Sequence, residues 1–115
     1  MHEIGIASSV LDIVRDELQE RPGSRALKLG LRIGALSGID PEALRFAVEA
    51  LVQGTDMQPL GLDMEFCARR QKCSRCAHEF VVEDFALACP ECGDAKTTCI
   101  GGEEMEIAFL ELEQP

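Results

Sequence analysis

Apolar residues recur with a helical period from Ile4 to about Arg21. Ile4, Ala7, Val10, Leu11, Val14 and Leu18 share one face, and Asp12, Asp16, Gln19 and Glu20 fall among the solvated positions. This stripe predicts an amphipathic helix, and Pro22-Gly23 stops it. The period then changes to two: Leu27, Leu29, Leu31, Ile33 and Ala35 alternate with Lys28, Gly30, Arg32 and Gly34. Such alternation predicts a strand with one buried face. Ser37-Gly38 turns the chain, and Asp40-Pro41-Glu42 supplies an N-cap, a proline at the first helical position and an acid in the first turn. Leu44, Ala47, Val48, Leu51 and Val52 give this second helix its core face, and Gly54 ends it.

Leu60, Leu62, Met64 and Phe66 next alternate with Gly61, Asp63, Glu65 and Cys67, which predicts a second strand. After Gly101-Gly102, the stretch Met105–Leu112 is apolar on both faces and reads as a third strand suited to the centre of a sheet. The fold class is therefore α+β: two helices on a small three-stranded sheet, with an inserted zinc-ribbon-like lobe carrying four cysteines. Residues 1–67 and 103–115 form the expected α/β body, and residues 68–102 form the insert.

Composition narrows the picture. The chain has 115 residues, no Trp or Tyr and five Phe, so the core must be aliphatic. A formal charge of −10 argues against a general nucleic-acid binder, because neutralising phosphates needs a basic face. No signal peptide is visible, and no apolar run approaches the ~20 residues of a membrane span. The expectation is a cytoplasmic, reducing location without membrane contact, and a monomer or weak homodimer.

The chemistry centres on two pairs, Cys73-Ser74-Arg75-Cys76 and Cys89-Pro90-Glu91-Cys92. Two residues between cysteines let both sulfurs reach one ion from a tight turn, and the intervening residues 77–88 can bring the pairs together. Four thiolates suit a tetrahedral zinc ion. Buried or disulfide-bonded cysteines, or a rubredoxin-like iron centre, are the alternatives. The insert is too short for a real core, so metal ligation should supply much of its stability. Cys67 reads as a strand residue and Cys99 as a loop thiol, with no decided role. No His stands with a nucleophile or a carboxylate constellation, so the expectation is not an enzyme.

A second metal site can be drawn at the other end. The α-amine of Met1, the amide nitrogen and imidazole of His2, and the amide or carboxylate of Glu3 can close adjacent chelate rings. Nitrogen-rich planar coordination suits Ni(II) or Cu(II). The bland alternatives are a frayed terminal His2 and a Glu3 that favours the helix start.

Met1-His2-Glu3, a first helix, the run from Lys28 to Ala47 through Gly34-Ala35-Leu36-Ser37-Gly38-Ile39-Asp40-Pro41, and then the paired cysteines occur in one order. In this the chain resembles the HypA/HybF-type hydrogenase nickel-incorporation proteins along essentially its whole length. The resemblance implies a nickel metallochaperone of [NiFe]-hydrogenase maturation, in some organisms also serving urease, with transferable Ni(II) and structural Zn(II). It implies His2 as principal nickel ligand with Glu3 beside it, and Cys73, Cys76, Cys89 and Cys92 as zinc ligands. Asp40 falls where an acid approaches the nickel, although its N-cap role also explains it. His78 follows the first pair as a nearby His does in some members, a further candidate for zinc or for a place behind the ligands. Asp94 stands where some members have a second His. The implied partners are a nickel-handling GTPase and the hydrogenase large-subunit precursor. A zinc-ribbon interaction module without nickel transfer is the alternative.

Overall fold

The computed structural model describes residues 2–115. In chain order its elements are α1 (Glu3–Gln19), β1 (Arg25–Gly34), α2 (Pro41–Val52), β2 (Gly61–Cys67), β3 (Arg70–Cys73), β4 (Glu79–Val81), β5 (Thr97–Gly101) and β6 (Met105–Glu113). Two three-stranded sheets form, in the orders β2-β1-β6 and β4-β3-β5. The chain divides into two compact units. One comprises the segment ending at Leu31, Ile39–Glu65 and Glu106–Pro115; the other comprises Arg32–Gly38 and Phe66–Met105.

In the first unit the two helices pack on each other. Helix α1 buries Ile6, Ala7, Val10, Leu11 and Val14, and α2 buries Leu44, Ala47, Val48 and Val52. The expected stripe holds in its middle, but Ile4 is 53% exposed with Ile6 buried instead, and Leu18 is only half-buried. Leu51 is half-buried. Asp40 caps α2 as its sequence context predicts: its Oδ1 accepts from the N–H of Glu42 at 3.0 Å and of Ala43 at 3.4 Å. Leu29, Leu31 and Ile33 of β1 are buried, as the alternation requires, but Ala35 lies beyond the strand and is exposed.

The expected central place of the third strand is corrected: β1 is central and β6 lies at an edge. The outer apolar residue that suggested two covered faces has another use. A Cβ on Gly30 would overlap the ring of Phe109, so the phenyl group occupies the space that the glycine leaves open. Phe109 thus covers the middle of β1 rather than facing a further strand.

In the second unit β3 pairs antiparallel with β4 and β5, with Gln71 opposite both Phe80 and Cys99. Cys99 is therefore a strand residue and not the expected loop thiol; its Sγ lies 3.3 Å from the Gly101 carbonyl. Buried Gln71 is satisfied at both ends of its amide, donating to Thr97 Oγ1 at 3.0 Å and accepting from Arg69 Nε at 3.2 Å. The backbones at Gly34 and Gly102 touch: a Cβ on Gly34 would overlap the Gly102 carbonyl. Backbone cannot rotate aside as a side chain can. Gly34→Ala should therefore cost about 3 kcal/mol, the upper end of ordinary overpacking, measured by urea denaturation of the zinc-loaded protein; an unchanged midpoint would contradict the contact.

Glu104 lies beside this crossing and accepts from the Gly102 N–H at 2.6 Å. Its own backbone N–H, then that of Gly102, then the charges of Arg32 and Arg70 hold its carboxyl below the ordinary 4.5. A lowered folded-state value favours the fold above the unfolded pKa, and that contribution disappears as pH falls through the folded one. Glu104→Gln should be less stable than wild type at pH 7, and the difference should narrow as pH falls through the acid range, by urea melts of the zinc-loaded protein. A constant difference would remove the ionised carboxylate from the explanation.

Candidate metal centre

Each cysteine pair sits in a tight turn built from backbone hydrogen bonds. Strand β3 delivers Cys73 into the first. The Cys73 N–H donates to the His78 carbonyl at 2.9 Å, and the Ala77 N–H returns to the Cys73 carbonyl at 3.0 Å. The second turn repeats this pattern. The Cys89 N–H donates to the Asp94 carbonyl at 3.0 Å, and the Gly93 N–H returns to the Cys89 carbonyl at 2.8 Å. Both turns need a left-handed residue after the second cysteine. Gly93 supplies it at φ 76°, whereas the first turn uses Ala77 at φ 64°. A bond from the Ser74 N–H to the Lys96 carbonyl, 3.0 Å, connects the first turn to the segment that follows the second.

The four sulfurs converge. Cys73 Sγ lies 3.5 Å from Cys92 Sγ, Cys76 Sγ lies 3.6 Å from Cys89 Sγ, and all four fall within 4.8 Å of one another. A disulfide would bring its sulfurs to about 2.05 Å, and all six cysteines are free. A tetrahedron with Zn–S bonds of about 2.3 Å has sulfur–sulfur edges of roughly 3.8 Å, so the separations fit one zinc-sized ion. Cys73 and Cys89 are buried, and Cys76 and Cys92 are exposed. The centre thus has a closed side and an open side.

The thiols differ electrostatically. The Cys76 backbone N–H draws the Cys73 thiol down to about 7, against desolvation, with the Arg75 N–H and the neighbouring thiols helping. Both N–H groups point at Cys73 Sγ, at 3.4 and 3.3 Å. At Cys76 the His78 backbone pulls down, but desolvation and the sulfurs of Cys89, Cys73 and Cys92 together push the thiol up to about 12. At Cys92 the Asp94 backbone likewise pulls down, while desolvation and neighbouring sulfurs leave the net direction upward. The Cys73 thiolate forms readily, while Cys76 and Cys92 resist ionising beside it. That is the profile of a site that binds a cation by releasing protons.

His78 does not join the four sulfurs. Its backbone carbonyl braces the first turn, and its ring stacks on Phe80 with centroids 6.1 Å apart. Asp94 braces the second turn through its carbonyl, while its Oδ1 accepts from the Lys96 N–H at 2.8 Å.

At the other end of the chain, His2 is the exposed N-cap of α1. Its carbonyl accepts from the N–H groups of Gly5 and Ile6, and its imidazole makes no capping bond. Glu3 meets Asp40 in an arrangement not legible from sequence: Glu3 Oε2 accepts from the Asp40 N–H at 3.4 Å. The starts of both helices are thereby joined. The Met1 amine lies outside the described residues. Among the described residues the four cysteines are the one group of three or more His, Cys, Asp or Glu side chains whose ligand atoms converge.

The sequence model of the family described as hydrogenase/urease nickel incorporation, metallochaperone, hypA, matches residues 1–112. The chain belongs to the HypA family. Among HypA relatives, hydrogenase maturation factor HypA of Methylocella silvestris is 37% identical over 113 residues, covering 98% of this chain and all of that protein. The same factor of Chlorobium luteolum is 36% identical over 114 residues, covering 99% and 97%. The fold is likewise shared with HypA structures. A solution structure of HypA superposes with a TM-score of 0.74 at 21% identity, covering all of this chain and 98% of that one. The solution structure of the Ni metallochaperone HypA from Helicobacter pylori gives 0.66 at 20%, with full coverage of both chains. No helix is long and apolar enough to cross a membrane among the described residues.

Proposed function

We propose that this chain is a nickel metallochaperone that binds Ni(II) at its amino terminus and delivers it during maturation of [NiFe]-hydrogenase, with urease as a second class of recipient. One observation carries the reading: the family match runs over residues 1–112 and so takes in both His2-Glu3 and the four cysteines. Nickel is the cargo. His2 is its principal ligand, Glu3 stands beside it, and the Met1 amine and Asp40 are further donors. Asp40 has one oxygen committed to capping α2 and its N–H to Glu3, which favours a supporting role. An exposed His2 at the start of a helix can receive and surrender an ion, whereas four thiolates hold theirs too firmly for transfer.

The resident ion is zinc, held by Cys73, Cys76, Cys89 and Cys92, with His78 behind the ligands. It supplies structure rather than reactivity. In this reading residues 1–67 and 103–115 form the nickel-handling body and 68–102 the zinc lobe. The protein is not an enzyme. A nickel-handling GTPase and the hydrogenase large-subunit precursor are its partners, without nucleic acid or membrane, and it acts as a monomer or weak homodimer. Six free cysteines are consistent with a reducing, cytoplasmic setting. Calorimetric titration of the zinc-loaded protein with Ni(II) tests the proposal: one saturable site lost in His2→Ala supports it, and equal titration of both proteins overturns it.

A further inference from the structure

The turn from Glu83 to Ala86 has an unusual composition. The Ala86 N–H donates to the Glu83 carbonyl at 2.9 Å, and the two residues between, Asp84 and Phe85, have φ of 51° and 62°. Turns with two consecutive left-handed residues ordinarily take Asn-Gly, Asp-Gly or Gly-Gly. A bulky side chain at positive φ is a genuine outlier. Phe85 is also 94% exposed, so its ring gives the core of its own unit almost nothing in return. Beside it lies a groove of about 350 Å³ lined by Leu36, Ala68, Val82, Arg69 and Phe85 itself. Leu36, Val81 and Leu87 of the same unit are exposed as well.

We propose that Phe85 and this groove form a docking site for a short segment of a partner protein, with aliphatic side chains flanked by lysine or arginine. The aliphatic side chains would seat between Leu36, Ala68 and Val82 with Phe85 packed over them. The basic flanks would face Glu83 and Asp84. Charge decides between occupants. A second copy would set Glu83 and Asp84 against the same two acids. Anionic lipid and nucleic acid meet the same repulsion. Arg69, the cation on the groove wall, donates to the neutral Gln71 amide and keeps its charge, so the two acids outnumber it. His2 is not among the residues of this surface, and its test does not involve nickel.

The test uses full-length, zinc-loaded protein and a panel of fluorescein-labelled heptapeptides, each with three aliphatic residues of varied identity between pairs of lysines. Serine-centred and glutamate-flanked versions serve as controls. Fluorescence anisotropy should show saturable binding of panel members to wild type. Binding should weaken at least about tenfold for Phe85→Ser and for both control sets. Phe85→Gly should keep its zinc and melt no lower than wild type, because glycine suits φ 62° and no core contact is lost. The proposal is overturned if no panel member binds, if Phe85→Ser binds equally well, or if Phe85→Gly loses zinc or melts lower. It is overturned in favour of another occupant if sedimentation shows a dimer that Phe85→Ser dissociates, or if phosphatidylserine vesicles retain wild type but not that variant.

Discussion

Replacing Cys73 with alanine is expected to strip the chain of stoichiometric zinc and to unfold the segment Phe66–Met105, leaving helices α1 and α2 in place. Between Phe66 and Met105 the buried apolar side chains among the described residues are Cys73 and Cys89, and Gln71 is the buried polar one. A unit whose interior is largely its own metal ligands has little hydrophobic burial to fall back on. Structural zinc contributes an apparent ~10–16 kcal/mol in small zinc-folded domains, as much as the ~5–15 kcal/mol total stability of an ordinary domain. Losing one ligand of four therefore moves the unit from folded to unfolded. Cys73→Ala also leaves the N–H groups of Arg75 and Cys76 without the sulfur they point at.

Metal analysis after dialysis against a chelator checks the first half of this expectation, and amide hydrogen exchange checks the second. Exchange protection should vanish along β3, β4 and β5 and persist in α1 and α2. The exposed ligands offer a graded comparison. Cys92→Ala should be the milder change, because water can reach its side of the ion and take the vacated position. Full zinc retention by Cys73→Ala would remove that residue from the ligand set. Loss of protection in both units together would show that they do not unfold separately.

Sequence patterning locates both helices and all three strands of the larger sheet, because an aliphatic core imposes clear periods of 3.6 and two. It does not place the strands. Strand β6 reads as central because residues such as Phe109 make its outer face apolar, yet that ring lies over Gly30. Covering a glycine in the neighbouring strand and packing against another layer leave the same alternation in the sequence. The short strands of the second unit are equally hidden. Strands β3 and β4 have four and three residues, too few to establish a period, and Cys99 in β5 looks like a loop thiol after the cysteine pairs. By contrast, the convergence of the four sulfurs follows from spacing, since each pair makes its own turn. The contact between Glu3 and Asp40 has no such local signal: it joins residues 37 apart and depends on how α1 meets α2.

At the nickel end, His2→Ala is expected to lower Ni(II) affinity at least about 100-fold, more than the 10–100-fold that losing a partner behind a ligand costs, while zinc content and fold stay unchanged. The selectivity follows from how the residue is used. His2 holds the start of α1 through its carbonyl, which accepts from Gly5 and Ile6, and its imidazole takes no part in the cap. Alanine offers the same carbonyl, so the helix survives while the nitrogen donor is lost. Two companion changes separate the remaining donors. Placing Gly-Ser ahead of Met1 leaves the imidazole intact but moves the free amine two residues away from it. Weaker binding would identify the amine as a ligand, and equal binding would exclude it. Glu3→Gln keeps the backbone nitrogen and an oxygen able to accept from the Asp40 N–H, but removes the charge. Unchanged calorimetry in that variant would assign Glu3's part to its backbone, whereas a loss approaching that of His2→Ala would make the carboxylate a ligand and require it to leave Asp40 when nickel binds.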